Sequence, residues 1–216
     1  MFLRIFATCI ATASLTIGAA SASTVSFAGW KEQRFSLFSS NDYRFGQRSL
    51  GVVSDGSVSL AYTRLPMSVW QAQTAQWKWM VDRSVPPTDL AREGGDDRNL
   101  ALYFVFLPED VVDDFGPQAP VRKLLQSDDV RVLIYVWGGN ASRGAFLESP
   151  YLGNRGRTIV RRAASPGSFD EAVDLKTDFR RAFGTDPGAL VGLAVSADSD
   201  DTDTKIVGEI SELRLQ

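Results

Sequence analysis

Four carboxylates, Asp198, Asp200, Asp201 and Asp203, crowd the end of the small-residue, apolar segment ALVGLAVSADSDDTDTK at residues 189–205. Oxygen ligands at this density suit a hard cation such as Ca2+, and they suit equally a solvated acidic turn that discourages edge pairing. Their weight comes from what the 216-residue chain lacks. It has no histidine, and its one cysteine is Cys9. Ser-His-Asp and Cys-His catalysis, histidine-ligated zinc and histidine general bases are therefore excluded. Carboxylate, Lys, Tyr or Ser chemistry, oxygen-ligated metals, and binding without turnover remain.

Asp198, Asp200, Thr202, Thr204 and Glu209 fall at positions one, three, five, seven and twelve of a calcium-loop template, but position six carries Asp203 where a turn-forming Gly is needed. Both flanks also read as strands, so an EF-hand is not predicted. A calcium site of another loop geometry, with Asp198 and Asp200 as ligands, is the metal site these residues suggest. A structural Ca2+ is the one cofactor indicated.

A second acidic segment, Gly94-Gly95-Asp96-Asp97, precedes the strand that starts at Asn99, while Asp198 follows the strand that ends near Ala197. If those strands are antiparallel neighbours, the two acidic clusters meet at one edge. Like charges brought together need a cation, arginines or water between them, and Arg92, Arg98 and Arg157 are at hand. Trp137 ends an apolar strand and runs into Gly138-Gly139-Asn140, where a backbone can approach a ligand closely. Asp96, Asp97, Trp137 and Arg157 are thus the expected ligand-binding residues. Trp77 and Trp79, two apart on one strand face, could stack on a sugar, but burial in a core is the ordinary fate of Trp and is the reading preferred for this pair. Asp96, Asp97, Glu148, Glu171 and Asp174 offer carboxylate pairs for glycoside hydrolysis, yet no motif specifies a reaction, so no catalytic residue is assigned.

The elements that must position these groups are short strands bounded by Gly, Pro, Asp and Ser. RSLGVVS (48–54) and SVSLAYTRL (57–65) flank Asp55-Gly56, which predicts a type I′ hairpin. Further strands are expected over 75–82, 99–108, 130–138, 157–163, 189–197 and 205–215, about eight in all. LALYFVF and VLIYVW are apolar on both faces and belong in a covered sheet. Val191, Leu193 and Val195 are expected on one face, with Gly192, Ala194 and Ser196 on the other. In the last strand Leu213 and Leu215 are out of phase with Ile206 and Ile210, which predicts a bulge near Ser211 or Glu212. Two short helices connect strands. One runs from Pro120 to Gln126; the other runs from Leu175 to Phe183, with Asp174 as N-cap and Gly184 as the stop. The fold class is all-β, a jelly-roll β-sandwich with two connecting helices.

Residues 1–22 have a basic Arg4, an apolar run to Ala19 and an Ala20-Ser21-Ala22 cleavage site, the pattern of a signal peptide. Export to the periplasm or beyond is expected. The remaining residues, 23–216, fit one domain, which must be stable without a disulfide because Cys9 leaves with the signal. Removing Arg4 leaves 22 basic residues against the 26 acidic ones, a net charge of −4 without a long basic run. Nucleic acid is therefore not an expected partner. No apolar stretch reaches the roughly 20 residues of a membrane span, so stable membrane insertion is not expected either.

The segments WKWMVD, PPTDLAREGGDDRNLALYFVF, YVWGG, SPYLGNRGRTIVRR, DLKTDFRRAFG and GLAVSADSDDT together resemble domain of unknown function family 3047, a family of bacterial exported proteins. The resemblance runs from about Trp30 onward. It implies a single domain similar to the galactose-binding-like and carbohydrate-binding-module jelly rolls, with no established activity. The resulting expectation is a monomer that recognises a glycan or another cell-envelope component without turnover. A carboxylate-dependent glycan hydrolase and a purely structural envelope protein are the alternatives.

Overall fold

The computed structural model describes residues 22–37, 39–115 and 121–216. The expected signal peptide therefore falls almost wholly outside the described residues, as does Pro120. Thirteen strands follow in chain order: β1 (Ser23–Thr24), β2 (Lys31–Arg34), β3 (Asp42–Phe45), β4 (Ser49–Asp55), β5 (Val58–Arg64), β6 (Thr74–Arg83), β7 (Arg98–Leu107), β8 (Arg131–Gly138), β9 (Phe146–Ser149), β10 (Gly153–Arg162), β11 (Gly167–Asp174), β12 (Ala189–Asp198) and β13 (Lys205–Leu215). Among the described residues three α-helices, α1 (Val112–Phe115), α2 (Val121–Gln126) and α3 (Leu175–Phe183), and a short 3-10 turn at Met67–Val69 join them. They form a β-sandwich of jelly-roll type. One sheet has the order β11-β6-β13-β4-β3 with β1 on β13; the other runs β2-β5-β12-β7-β8-β10-β9. Neighbours are antiparallel except β8 and β10, which are parallel.

Alternation fixes which side chains enter the core. In β6, Ala75, Trp77, Trp79 and Val81 point inward while Gln76, Lys78 and Met80 face out. Opposite them, Leu102, Phe104, Leu133, Tyr135 and Trp137 project from the second sheet. Trp77 meets Trp79 edge-on at 5.3 Å, Trp79 lies 5.6 Å from Trp137, and Trp137 meets Phe169 edge-on at 5.2 Å. These are favoured arrangements of ring quadrupoles. All three tryptophans are core residues, so none is a stacking platform.

β7 and β8 are apolar on both faces because the second sheet is covered twice. Its outer face carries Val105, Val132, Ile134, Val136 and Val160 against Leu90, Val112 and Leu124. α3 begins and ends as its sequence predicts: the Asp174 side chain accepts a hydrogen bond from Thr177 N at 2.8 Å, and Gly184 takes a left-handed φ of 75°. The bulge in β13 also stands, with Glu212 at φ 55° and a register shift between Ser211 and Arg214.

Two expectations need correction. Asp55-Gly56 makes a tight turn but no hairpin, since β4 pairs with β13 in one sheet and β5 pairs with β12 in the other. The Asp-Gly pair encodes only the backbone reversal, with Gly56 at φ 55°. Leu50 and Val52 then pack from one layer and Ala61 from the other. In β12, a register shift between Leu190 and Gly192 sends Val191 to the outer cluster, away from Leu193 and Val195.

Candidate functional site

The outer face of the second sheet carries a cleft of about 530 Å³. Cross-strand register defines its floor as successive rows. Tyr62, Ala194, Tyr103, Ile134 and Thr158 form the middle row. Arg64, Gly192, Val105 and Val132 form a row toward one end, where Arg155 also lines the cleft. Val58, Asp198 and Arg98 form the row at the opposite end. Arg64 lies six positions beyond Val58 along β5, which makes the cleft about 20 Å long at the rise of a strand. Phe35, Leu90, Leu152 and Tyr151 contribute to its walls.

The acidic end assembles because β7 and β12 are antiparallel, so the loop before β7 and the loop after β12 share an edge. Arg98 Nη1 lies 2.7 Å from Asp96 Oδ2 and 3.1 Å from Asp198 Oδ2. Its Nη2 donates to Tyr103 OH at 3.1 Å, and Tyr103 OH lies 3.0 Å from Ser196 Oγ. Tyr151 OH donates to Asp96 Oδ1 at 2.8 Å. Asp97, fully buried, accepts from Thr202 N at 2.8 Å, Thr202 Oγ1 at 2.5 Å and Asp201 N at 3.3 Å. This pins the 199–204 loop from one side. Ser199 Oγ, 2.7 Å from Ser54 Oγ, holds it from the other, where the two corners between the sheets lie side by side.

Carboxylate oxygens of Asp97, Asp198 and Asp200 all lie within 4.8 Å of one another. The Asp198 carboxyl is pushed up to about 8, by burial above all and with help from Asp200 and Asp97, against the opposing pull of Arg98. Burial also raises Asp201, helped by the charges of Asp97, Asp200 and Asp96. For Tyr151, burial and then the hydrogen bond to Asp96 raise the phenol above its ordinary value.

Of the residues expected from sequence to bind, Asp96, Asp97, Asp198 and Asp200 come together at this end of the cleft. Trp137 does not join them, because its side chain points to the core face of β8. Arg157 sits one position from Thr158 on β10 and faces away from the cleft, with Nη2 3.5 Å from Ala182 O beside α3. Of the three arginines expected to compensate the acidic clusters, Arg98 is the one bonded to both Asp96 and Asp198.

A family model described as a protein of unknown function (DUF3047) matches residues 28–214. The chain belongs to this family. No curated protein matches it. Among solved structures, this DUF3047 member is similar to the xyloglucanase domain of NopAA, a type three effector from Sinorhizobium fredii in complex with cellobiose. Identity is 10%, the TM-score is 0.42, and 91% of this chain and 98% of that one are covered. It is also similar to a loop-swap mutant of Necallimastix patriciarum Xyn11A, at 9% identity and TM-score 0.39, covering 86% and 99%. Identities of this order say nothing about activity or ligand.

Sequence reasoning missed Tyr62, Tyr103, Ser196 and Tyr151 in the DUF3047 cleft. For two of them a signal exists. Tyr103 is the one side chain with a polar tip inside LALYFVF, and Ser196 is the first hydroxyl in ALVGLAVS, both on strands otherwise apolar on each face. A polar atom at such a position needs a partner, and it marks the face where that partner lies. Tyr151 lies in a turn and carries no comparable pattern.

Proposed function

We propose that this protein is an exported binding domain that holds an extended carbohydrate, or a comparable envelope component, in the outer-face cleft without turning it over. The observation that carries this reading is the cleft itself: long, floored by Tyr62, Tyr103 and aliphatic side chains, with hydrogen-bonding groups at its end. Its volume lies within the roughly 300–1,000 Å³ of small-molecule sites. Ring faces and aliphatic groups suit the C–H faces of sugars, while Asp96, Arg98 and Tyr151 suit hydroxyl groups.

The carboxylates speak for binding over hydrolysis. Glycosidases need two carboxyl groups flanking the bond, about 5–9.5 Å apart with room between them. Asp96, Asp198 and Asp200 all line one end of the cleft, and a single nitrogen of Arg98 fills the space between Asp96 and Asp198.

Thermal melts and calorimetry with a panel of soluble oligosaccharides test the proposal. At least one glycan should raise the melting temperature by mass action, about 2.7 kcal/mol at one hundred times its Kd. Tyr62→Ala should weaken it about tenfold, or 1.4 kcal/mol. A panel without any shift would count against binding, and release of reducing ends would favour the hydrolase. Export is tested by fractionation, with a mature N-terminus near Ser23 expected.

A further inference from the structure

We propose that Asp97, Asp198 and Asp200 bind one hard divalent cation, with calcium the best-fitting ion, at the acidic end of the cleft. Three independent observations converge on it.

The first is geometric. Calcium–oxygen distances of about 2.3–2.6 Å make a coordination shell about 4.6–5.2 Å across, and one oxygen from each of the three carboxylates fits within 4.8 Å. The residues come from two loops a hundred positions apart in sequence, each braced: Asp97 by Thr202 and the backbone of Asp201, Asp198 by Arg98. Bracing of this kind keeps ligands in place before the ion arrives.

The second is an orphaned atom. Asp198 is 5% exposed, and its Oδ2 is taken by Arg98. Its Oδ1 is buried and accepts no hydrogen bond. A buried carboxylate oxygen without a donor is costly, and structures seldom leave one unless something else supplies the missing charge.

The third is charge. Asp97, Asp198 and Asp200 bring carboxyl oxygens within 4.8 Å of one another, and the Arg98 guanidinium beside them is shared between Asp96 and Asp198. One guanidinium divided between Asp96 and Asp198 is a small counter-charge for an end that also holds Asp97 and Asp200, and a divalent ion would add to it. The donors are all oxygen, which selects calcium or magnesium over zinc or copper. Three carboxylates also fall short of the six to eight ligands calcium takes, leaving positions for water or for oxygens of a molecule in the cleft, which Asp198 and Asp200 both line.

The site is not an EF-hand, since β12 and β13 flank its loop and its third ligand comes from before β7.

The test uses the full mature chain, stripped with EDTA and titrated with CaCl2 alone, so its outcome is separate from that of the glycan panel. Calorimetry should give one ion per chain with a Kd tighter than about 1 mM. Calcium at one hundred times Kd should raise the folding constant about 100-fold and the melting temperature with it. Asp200→Asn, at an exposed position that should still fold, should weaken calcium binding at least tenfold, whereas Glu212→Gln on the far sheet should not change it. No binding heat and no melting shift in the wild-type chain up to 10 mM CaCl2, roughly tenfold above the weak limit, would overturn the proposal. So would an Asp200→Asn variant that binds calcium as the wild type does.

Discussion

Arg98 Nη1 lies 3.1 Å from Asp198 Oδ2, at the register point where the first residue of β7 meets the last of β12. The same guanidinium holds Asp96 and Tyr103, so one planar fork ties both acidic loops to the floor of the cleft. Burial opposes its charge, but Tyr103, Asp198 and Asp96 outweigh that and hold it above the ordinary arginine value.

Arg98→Met keeps the apolar stem and removes the charge. Asp198 then loses its ion pair in a buried position and Asp96 keeps only the Tyr151 hydroxyl, and the loss should reach about 3–5 kcal/mol in urea denaturation. Arg98→Lys should recover only part of it, because an ammonium cannot reproduce a fork to three acceptors. A loss below about 1 kcal/mol in Arg98→Met would place this pair with solvent-exposed bridges.

Glu171 should show a second, separate dependence. Its side chain is fully buried and accepts from Arg161 Nη2 at 2.7 Å and Arg162 Nε at 2.7 Å, while Arg162 also lies over the Phe169 ring. Glu171→Gln should cost about 3 kcal/mol, the low end for a broken buried pair, because both arginines keep partial access to water. Adding 0.5 M salt should leave most of that difference, since burial limits screening. A difference that vanishes with salt would mark the contact as a surface one.

Trp137 separates packing from recognition. Fully buried against Trp79 and Phe169, its replacement in Trp137→Ala should cost about 3–5 kcal/mol. The milder Trp137→Phe should keep the affinity for any cleft ligand within twofold. A tenfold loss in Trp137→Phe would mean that the core face of β8 communicates with the cleft.

The sheets were legible because their signals are local. Alternation in WKWMV, two-sided apolarity in LALYFVF and the phase break before Leu213 each name a strand, its exposure or its bulge. β2, β3, β9 and β11 were not legible, because edge strands such as KEQR and FLES bury too little to show a pattern. The Asp55-Gly56 turn misled for a related reason: a turn dipeptide reports its own backbone, and the partner of each flanking strand is chosen by distant residues in β12 and β13. The meeting of Asp97 with Asp198 followed from one inference about strand direction. Arg98 stood among the arginines able to compensate these carboxylates, but that Arg157 faces away did not follow, since facing on β10 depends on its parallel pairing with β8, which periodicity alone does not reveal.

The cap of α3 gives a prediction in pH. Asp174 is held below its ordinary value of 3.8 chiefly by the hydrogen bond from Thr177 N, which favours the charged form. A carboxyl whose folded pKa is depressed contributes stability that is complete above the unfolded value and is lost as pH falls through the folded one. Asp174→Ala should therefore cost about 1 kcal/mol at neutral pH, the usual worth of an N-cap. The gap in melting temperature between wild type and variant should stay constant from pH 8 to 5 and narrow below pH 3.8. Asp174→Asn should retain most of the stability, because an amide oxygen also caps, and should show no narrowing in acid. α3 buries Leu175 and Phe179 in the shared core, so the effect should appear in global unfolding. A gap between wild type and Asp174→Ala that stays the same at pH 3 as at pH 7 would mean that the cap acts through shape alone, without its charge.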